Sequence, residues 1–139
     1  MTIDVDAANT KFMHDAMPFT ATLGIQAIIN TPGEVRARLA WSPSICTSGG
    51  AMHGGAIMAL ADSTGGACAF LNLPDGAEGT STIESKTNFL GAVRAGHVDS
   101  ISRPLHLGRT VMVIETDVID ADERLVARIT QSQVVLRPK

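Results

Sequence analysis

The stretch Ser48-Gly49-Gly50-Ala51-Met52-His53-Gly54-Gly55, running on through Ile57 and Leu60 to Ala61-Asp62, carries most of the information in this chain. From His53 to Leu71 the apolar spacing is helical, with Ile57, Leu60, Ala61, Thr64, Cys68 and Leu71 as one stripe. Glycines before and inside the first turn of a helix let its free backbone N–H groups approach a ligand closely. Those groups carry the positive end of the helix dipole, which suits an anion or a polarised carbonyl oxygen. Glycines alone are weak evidence, because a flexible loop entering a helix has the same composition.

Asp62 adds a second observation. Its helical neighbours are Met58, Ala59, Gly65 and Gly66, so it lies off the apolar stripe with no cationic partner on its own helix. Each interior glycine costs about 1 kcal/mol relative to Ala, so Gly65 and Gly66 imply close approach by another backbone or by a substrate. Gly54 and Asp62 are eight residues apart in sequence, or roughly 12 Å along a helix axis. Within one chain they cannot both touch one reacting carbonyl. If both act, a second copy of the helix must run antiparallel alongside, in a twofold dimer with two equivalent sites.

Around this helix, Asp6 to Met17 reads as a short helix with Phe12, Met13 and Ala16 on one side, ended or turned by Pro18. Ile25 to Asn30, the turn Thr31-Pro32-Gly33, and the alternation Val35, Ala37, Leu39, Trp41 make a hairpin. Ser42 to Gly50 is a loop. After the long helix come strand-like segments at Thr80 to Leu90, Val98 to Leu107, Thr110 to Ile119 and Arg124 to Leu136. Runs of strands without regular helix alternation predict an α+β domain with a mainly antiparallel sheet of five to six strands and one covering helix.

At 139 residues the chain fits one domain, 1–139, with 1–20 as an N-terminal helical segment. A charged fraction of 18% is too low for a disordered chain, and a net charge of -3 argues against a nucleic-acid-binding surface. Cys46 and Cys68 lack metal-ligand spacing, as do His14, His97 and His106, so no metal and no cofactor are expected. The acidic start, Met1 to Asp6, is unlike a signal peptide, and no apolar run approaches the ~20 residues of a membrane span. A cytoplasmic protein without membrane partners is expected.

The motif Gly50-x-x-His53-Gly54-Gly55 followed by Leu60-Ala61-Asp62 resembles the hotdog-fold acyl-CoA thioesterases, specifically the phenylacetate-pathway type with Asp on the central helix. Thr82-x-Glu84-x-x-x-x-Phe89-Leu90 and Leu107-Gly108-Arg109-Thr110 support the resemblance, which covers most of the chain from Leu23 onward. It implies a hotdog fold, an acyl-CoA substrate, and a homodimer that pairs into a homotetramer. In that reading the Gly54 N–H polarises the thioester carbonyl, and Asp62 of the partner chain attacks it or activates a water. Thr82 holds the water or the carboxylate; His53 and Gly55 belong to the catalytic set, with His53 positioning the loop and helix start and direct proton transfer by its imidazole as the alternative. Within the expected strand, Thr82 shares a polar face with Thr80, Glu84, Lys86 and Asn88. The resemblance departs at Thr47, where the family often has an Asn that orients substrate or water; a Thr hydroxyl can donate one hydrogen bond but lacks an amide. Arg109 and Arg94 are candidates for the CoA phosphates, and Met58, Phe89 and the N-terminal helix for the acyl pocket.

The expected reaction is hydrolysis of a small aryl- or medium-chain acyl-CoA. The hydratase branch of the fold pairs an Asp with a His five residues on, and the dehydratase branch carries His-Phe-Pro; neither occurs here. A non-catalytic acyl-CoA binder is the alternative, against which stand Gly54, Asp62 and Thr82.

Overall fold

Asp6 caps the first helix, α1 (Ala7–Ala16), by accepting the Asn9 N–H at 2.9 Å, the ordinary use of an Asp before a helix. The computed structural model describes residues 3–139; residues 1 and 2, which begin the expected N-terminal segment, lie outside the described residues. Pro18 does more than end α1. It opens a second short helix, α2 (Pro18–Leu23), at a first-turn position where its missing N–H costs nothing. The side of α1 read as one face is divided: Met13 is buried in the core, whereas Phe12 and Ala16 are exposed.

Next come the hairpin β1 (Gln26–Thr31) and β2 (Glu34–Ala40), the long helix α3 (Gly54–Leu71), and β3 (Gly79–Phe89), β4 (His97–Leu107), β5 (Val111–Asp120) and β6 (Leu125–Leu136). The six strands form one sheet in the order β1-β2-β4-β5-β6-β3, with every neighbouring pair antiparallel. One face wraps α3. Val35, Ala37 and Leu39 of β2, Val98 of β4, Ile114 and Val118 of β5 and Ile129 of β6 all bury there against Ile57, Leu60, Ala61 and Cys68. This is the α+β hotdog architecture the motifs imply. By length and composition α3 could cross a membrane, with 18 residues at mean hydropathy 1.2; its place against the sheet accounts for that apolarity. Hydroxyls cross the same core: Ser102 Oγ donates to Thr64 Oγ1 at 2.9 Å and meets Thr116 Oγ1 at 2.7 Å.

β3 departs from simple alternation. Thr82 lies opposite Gln133, yet Glu84 lies opposite Ser132, so Ile83 is an extra residue in a β-bulge. Directly opposed residues share a face, and Gln133 faces α3 while Ser132 does not. The bulge therefore puts Thr80, Thr82, Ser85, Thr87 and Phe89 on the helix side and Glu84, Lys86 and Asn88 on the outer side. The expected grouping of Thr82 with those three polar residues is corrected by one inserted residue. β3 is also a sheet edge and exposed along most of its length, with Ile83 61% exposed.

On the outer face, Asp99 is 2% exposed and accepts from Arg36 Nη2 at 2.6 Å and Arg38 Nε at 2.7 Å. These three residues and His97 line a cavity of about 370 Å³. Burial alone would raise the Asp99 carboxyl, but the bonds from Arg38 and Arg36 outweigh it and hold it below the usual carboxylate range. With the folded value depressed, its stabilisation is present above the unfolded value near pH 4 and is lost as pH falls through the folded value. Asp99→Ala strands two guanidiniums and is expected to cost about 3–5 kcal/mol. Urea melts at pH 7 check this. Melts at falling pH check the sign, because the variant should lack the acid-limb loss that Asp99 contributes to the parent.

Candidate active site

The start of α3 is held from behind by two backbone bonds: Met52 N–H to the Val93 carbonyl at 2.7 Å and His53 N–H to the Ile45 carbonyl at 2.8 Å. His53 is the N-cap, and its Nδ1 accepts the Gly55 N–H at 2.8 Å. A neutral imidazole has one acceptor nitrogen, and here it is taken by the cap. As a base His53 would have to abandon that bond, so the geometry favours the positioning role. Among the described residues the Gly54 N–H meets no acceptor. The Phe89 ring stands beside it: a Cβ at Gly54 would lie 3.0 Å from Phe89 Cζ. The bulge in β3 is what turns Phe89 to this side.

Two turns further along α3, Asp62 is exposed and is gripped on one oxygen. Thr82 Oγ1 donates to Oδ1 at 3.3 Å and Gln131 Nε2 donates to the same oxygen at 3.2 Å. Gln133 Nε2 donates to Thr82 Oγ1 at 2.6 Å, which leaves the Thr82 hydroxyl proton free to point at Asp62. Gly54, Met58, Asp62, Gly66 and Phe70 recur every four residues as one stripe on the side of α3 away from the buried stripe. The two glycines beside Asp62 have different causes. Gly66 opens onto empty space, but a Cβ at Gly65 would sit 1.5 Å from Gln131 Oε1, so the close neighbour there is a side chain of the same chain.

A cleft of about 660 Å³ adjoins Asp62, Thr82 and Gln133. Its apolar walls come from Phe12, Ala16 and Met17 on the N-terminal side and Phe70 and Leu71 at the end of α3. The N-terminal helix thus lines the Asp62 cleft through Phe12 and Ala16. Met58 and Phe89 are not among the cleft's lining residues; Phe89 stands at the Gly54 end. Arg94 is exposed, next to Val93 in the loop that holds Met52. Arg109 is exposed at the far end of the sheet, in the turn between β4 and β5, where its carbonyl accepts from Arg137. Thr47 is exposed in the loop before α3, with its N–H on the Ala51 carbonyl.

Gln131 and Gln133 were not singled out from the sequence. The available signal was their phase: Ile129, Gln131, Gln133 and Val135 occupy the inward positions of β6, and two amides on an inward phase need a partner inside.

The model of the Thioesterase superfamily matches residues 49–127, from the loop before α3 into β6. This chain belongs to that superfamily. Similar proteins include a Bacillus subtilis protein described as an esterase, ComA2, 32% identical over 104 residues that span 75% of this chain and 82% of that one. The 1,4-dihydroxy-2-naphthoyl-CoA hydrolase of Escherichia coli is 33% identical over 76 residues, 55% of each chain. The phenylacetic acid degradation protein PaaI of Thermus thermophilus, in a mutant form, shares the fold at TM-score 0.78 and 23% identity, over 86% of this chain and 99% of that one. As a superfamily member with these relatives, the chain is a thioester hydrolase.

Proposed function

We propose that this thioesterase hydrolyses a small aryl- or medium-chain acyl-CoA at sites shared between two copies of the chain. The observation that carries the reading is the arrangement on α3. An unpaired Gly54 N–H and a gripped Asp62 carboxylate lie on the same outward stripe, roughly 12 Å apart along the axis. Two such helices side by side and antiparallel bring each Gly54 opposite the other's Asp62. The long exposed edge strand β3, with Ile83 and Phe89 uncovered and exposed Leu90 just beyond its end, supports such an approach, because an unpaired edge is a template for another strand.

In this reading the thioester carbonyl oxygen accepts the Gly54 N–H, where helix dipole and free donor stabilise the charge that develops in the tetrahedral transition state. In one route the partner's Asp62 attacks the carbonyl carbon, the C–S bond breaks with CoA leaving as thiolate, and water then hydrolyses the acyl–Asp62 anhydride to free acid. In the other Asp62 takes a proton from the attacking water, and C–S cleavage gives the acid and CoA directly, the thiolate recovering that proton. Thr82 orients the carboxylate. The Asp62 cleft takes the acyl group, and Arg94, with Arg109 at the other end, meets the CoA phosphates.

The test is thiol release over a panel of aryl- and straight-chain acyl-CoAs. Release above buffer for at least one aryl- or medium-chain substrate is expected. No release from any of them, with measurable CoA binding, would make the chain a binder instead.

A further inference from the structure

We infer that Gln131 is a positioning residue for Asp62: its amide N–H, with Gln133 acting through Thr82, holds Oδ1 and leaves Oδ2 as the reacting oxygen. The inference rests on the reading that Asp62 reacts with the substrate.

Gln131 is 0% exposed and sits in the inward phase of β6, opposite Ile114 and two residues from Ile129. An apolar residue would suit that place better, because the amide is only half satisfied. Nε2 meets Asp62 Oδ1 at 3.2 Å, whereas Oε1 is buried with no partner. A buried carbonyl left unbonded is destabilising. Turning the amide over would not help, since it would press Oε1 against a carboxylate. The fold also clears room for this orientation, because any side chain at residue 65 would place its Cβ 1.5 Å from Oε1. A half-satisfied core amide, a glycine that accommodates it, and an N–H aimed at the one carboxylate on α3 share one purpose: fixing that carboxylate. Thr82 shares the grip on Oδ1, and Gln133 at 2.6 Å fixes which way the Thr82 hydroxyl donates. Among the described residues Oδ2 accepts no hydrogen bond. One oxygen is thereby anchored and the other presented outward along the exposed stripe.

The test is Gln131→Met in the full-length protein, beside Asp62→Asn. Gln131→Met keeps the volume and removes both the donor and the orphan carbonyl. Loss of a bond to a charged group predicts a fall in kcat of about tenfold or more. KM should stay within about twofold, because substrate contacts are untouched. The melting temperature should be unchanged or higher, as an unsatisfied polar atom leaves the core. A merely structural Gln131 would instead lower melting temperature and kcat together. Wild-type kcat in Gln131→Met, with Asp62→Asn inactive, overturns the inference and leaves the Asp62 reading standing. Wild-type kcat in Asp62→Asn overturns both. If Gln131→Met does not fold, Gln131→Glu decides. Its carboxyl donates to Asp62 only while protonated, so its activity should decline as pH rises beyond the range where the parent holds steady. A Gln131→Glu profile parallel to the parent's overturns the inference.

Discussion

Asp62→Asn is expected to lower kcat by about 10²- to 10⁴-fold, the range over which a positioned base or nucleophile contributes. The substitution is nearly isosteric. Its side-chain carbonyl can still accept from Thr82 Oγ1 and Gln131 Nε2, which hold Oδ1 at 3.3 and 3.2 Å in the parent. What disappears is the charge on the other oxygen, so the loss should fall on kcat with little change in KM or in melting temperature. Steady-state thiol release and a thermal melt on the same sample check this. A variant that turns over at the parent's rate would show that Asp62 is not the reacting group.

Gly54→Pro addresses the other half of the site. Residue 54 is the first of α3, where a proline is tolerated, and His53 before it is already extended at φ -62, ψ 133. Proline removes the N–H and little else, apart from a ring contact with Phe89 that the glycine avoids. Removing one oxyanion donor typically costs about 10²- to 10³-fold in kcat. Gly54→Ala is the control: it brings a Cβ 3.0 Å from Phe89 Cζ but keeps the donor, so it should retain most of the rate. Equal losses in both variants would trace the effect to Phe89 rather than to the N–H.

Much of this site is visible in the sequence because its parts are local. A helix start needs only adjacent glycines and a cap, and the spacing from Gly54 to Asp62 follows from helix rise alone. Strand positions are legible from alternation for the same reason: β5 alternates from Val111 to Val118, and β6 from Ile129 to Val135, after an extra residue at Val126. What could not be read depends on residues far apart in the chain. The bulge at Ile83 leaves no mark of its own in a run of Thr, Ser and Glu, yet it reverses the facing of everything after it. Thus Phe89 reaches Gly54 while Glu84 faces outward. Gln131 lies sixty-nine positions from Asp62, and nothing near either residue announces the bond. Gly65 reads as clearance for another backbone or a substrate; it is clearance for an amide of its own sheet. Pro18 reads only as an end or a turn, because the six-residue α2 that it opens is too short to show periodicity.

The shared site is tested most directly by combining the two variants in one dimer. Co-expressed Asp62→Asn and Gly54→Pro chains with different tags allow the mixed dimer to be isolated from either parent. In it one site joins an intact Gly54 to an intact Asp62, and the other holds both substitutions. The mixed dimer is therefore expected to recover about half the wild-type rate, one working site of two related by a twofold axis. A purified mixed dimer as inactive as its parents would contradict a site built from two chains.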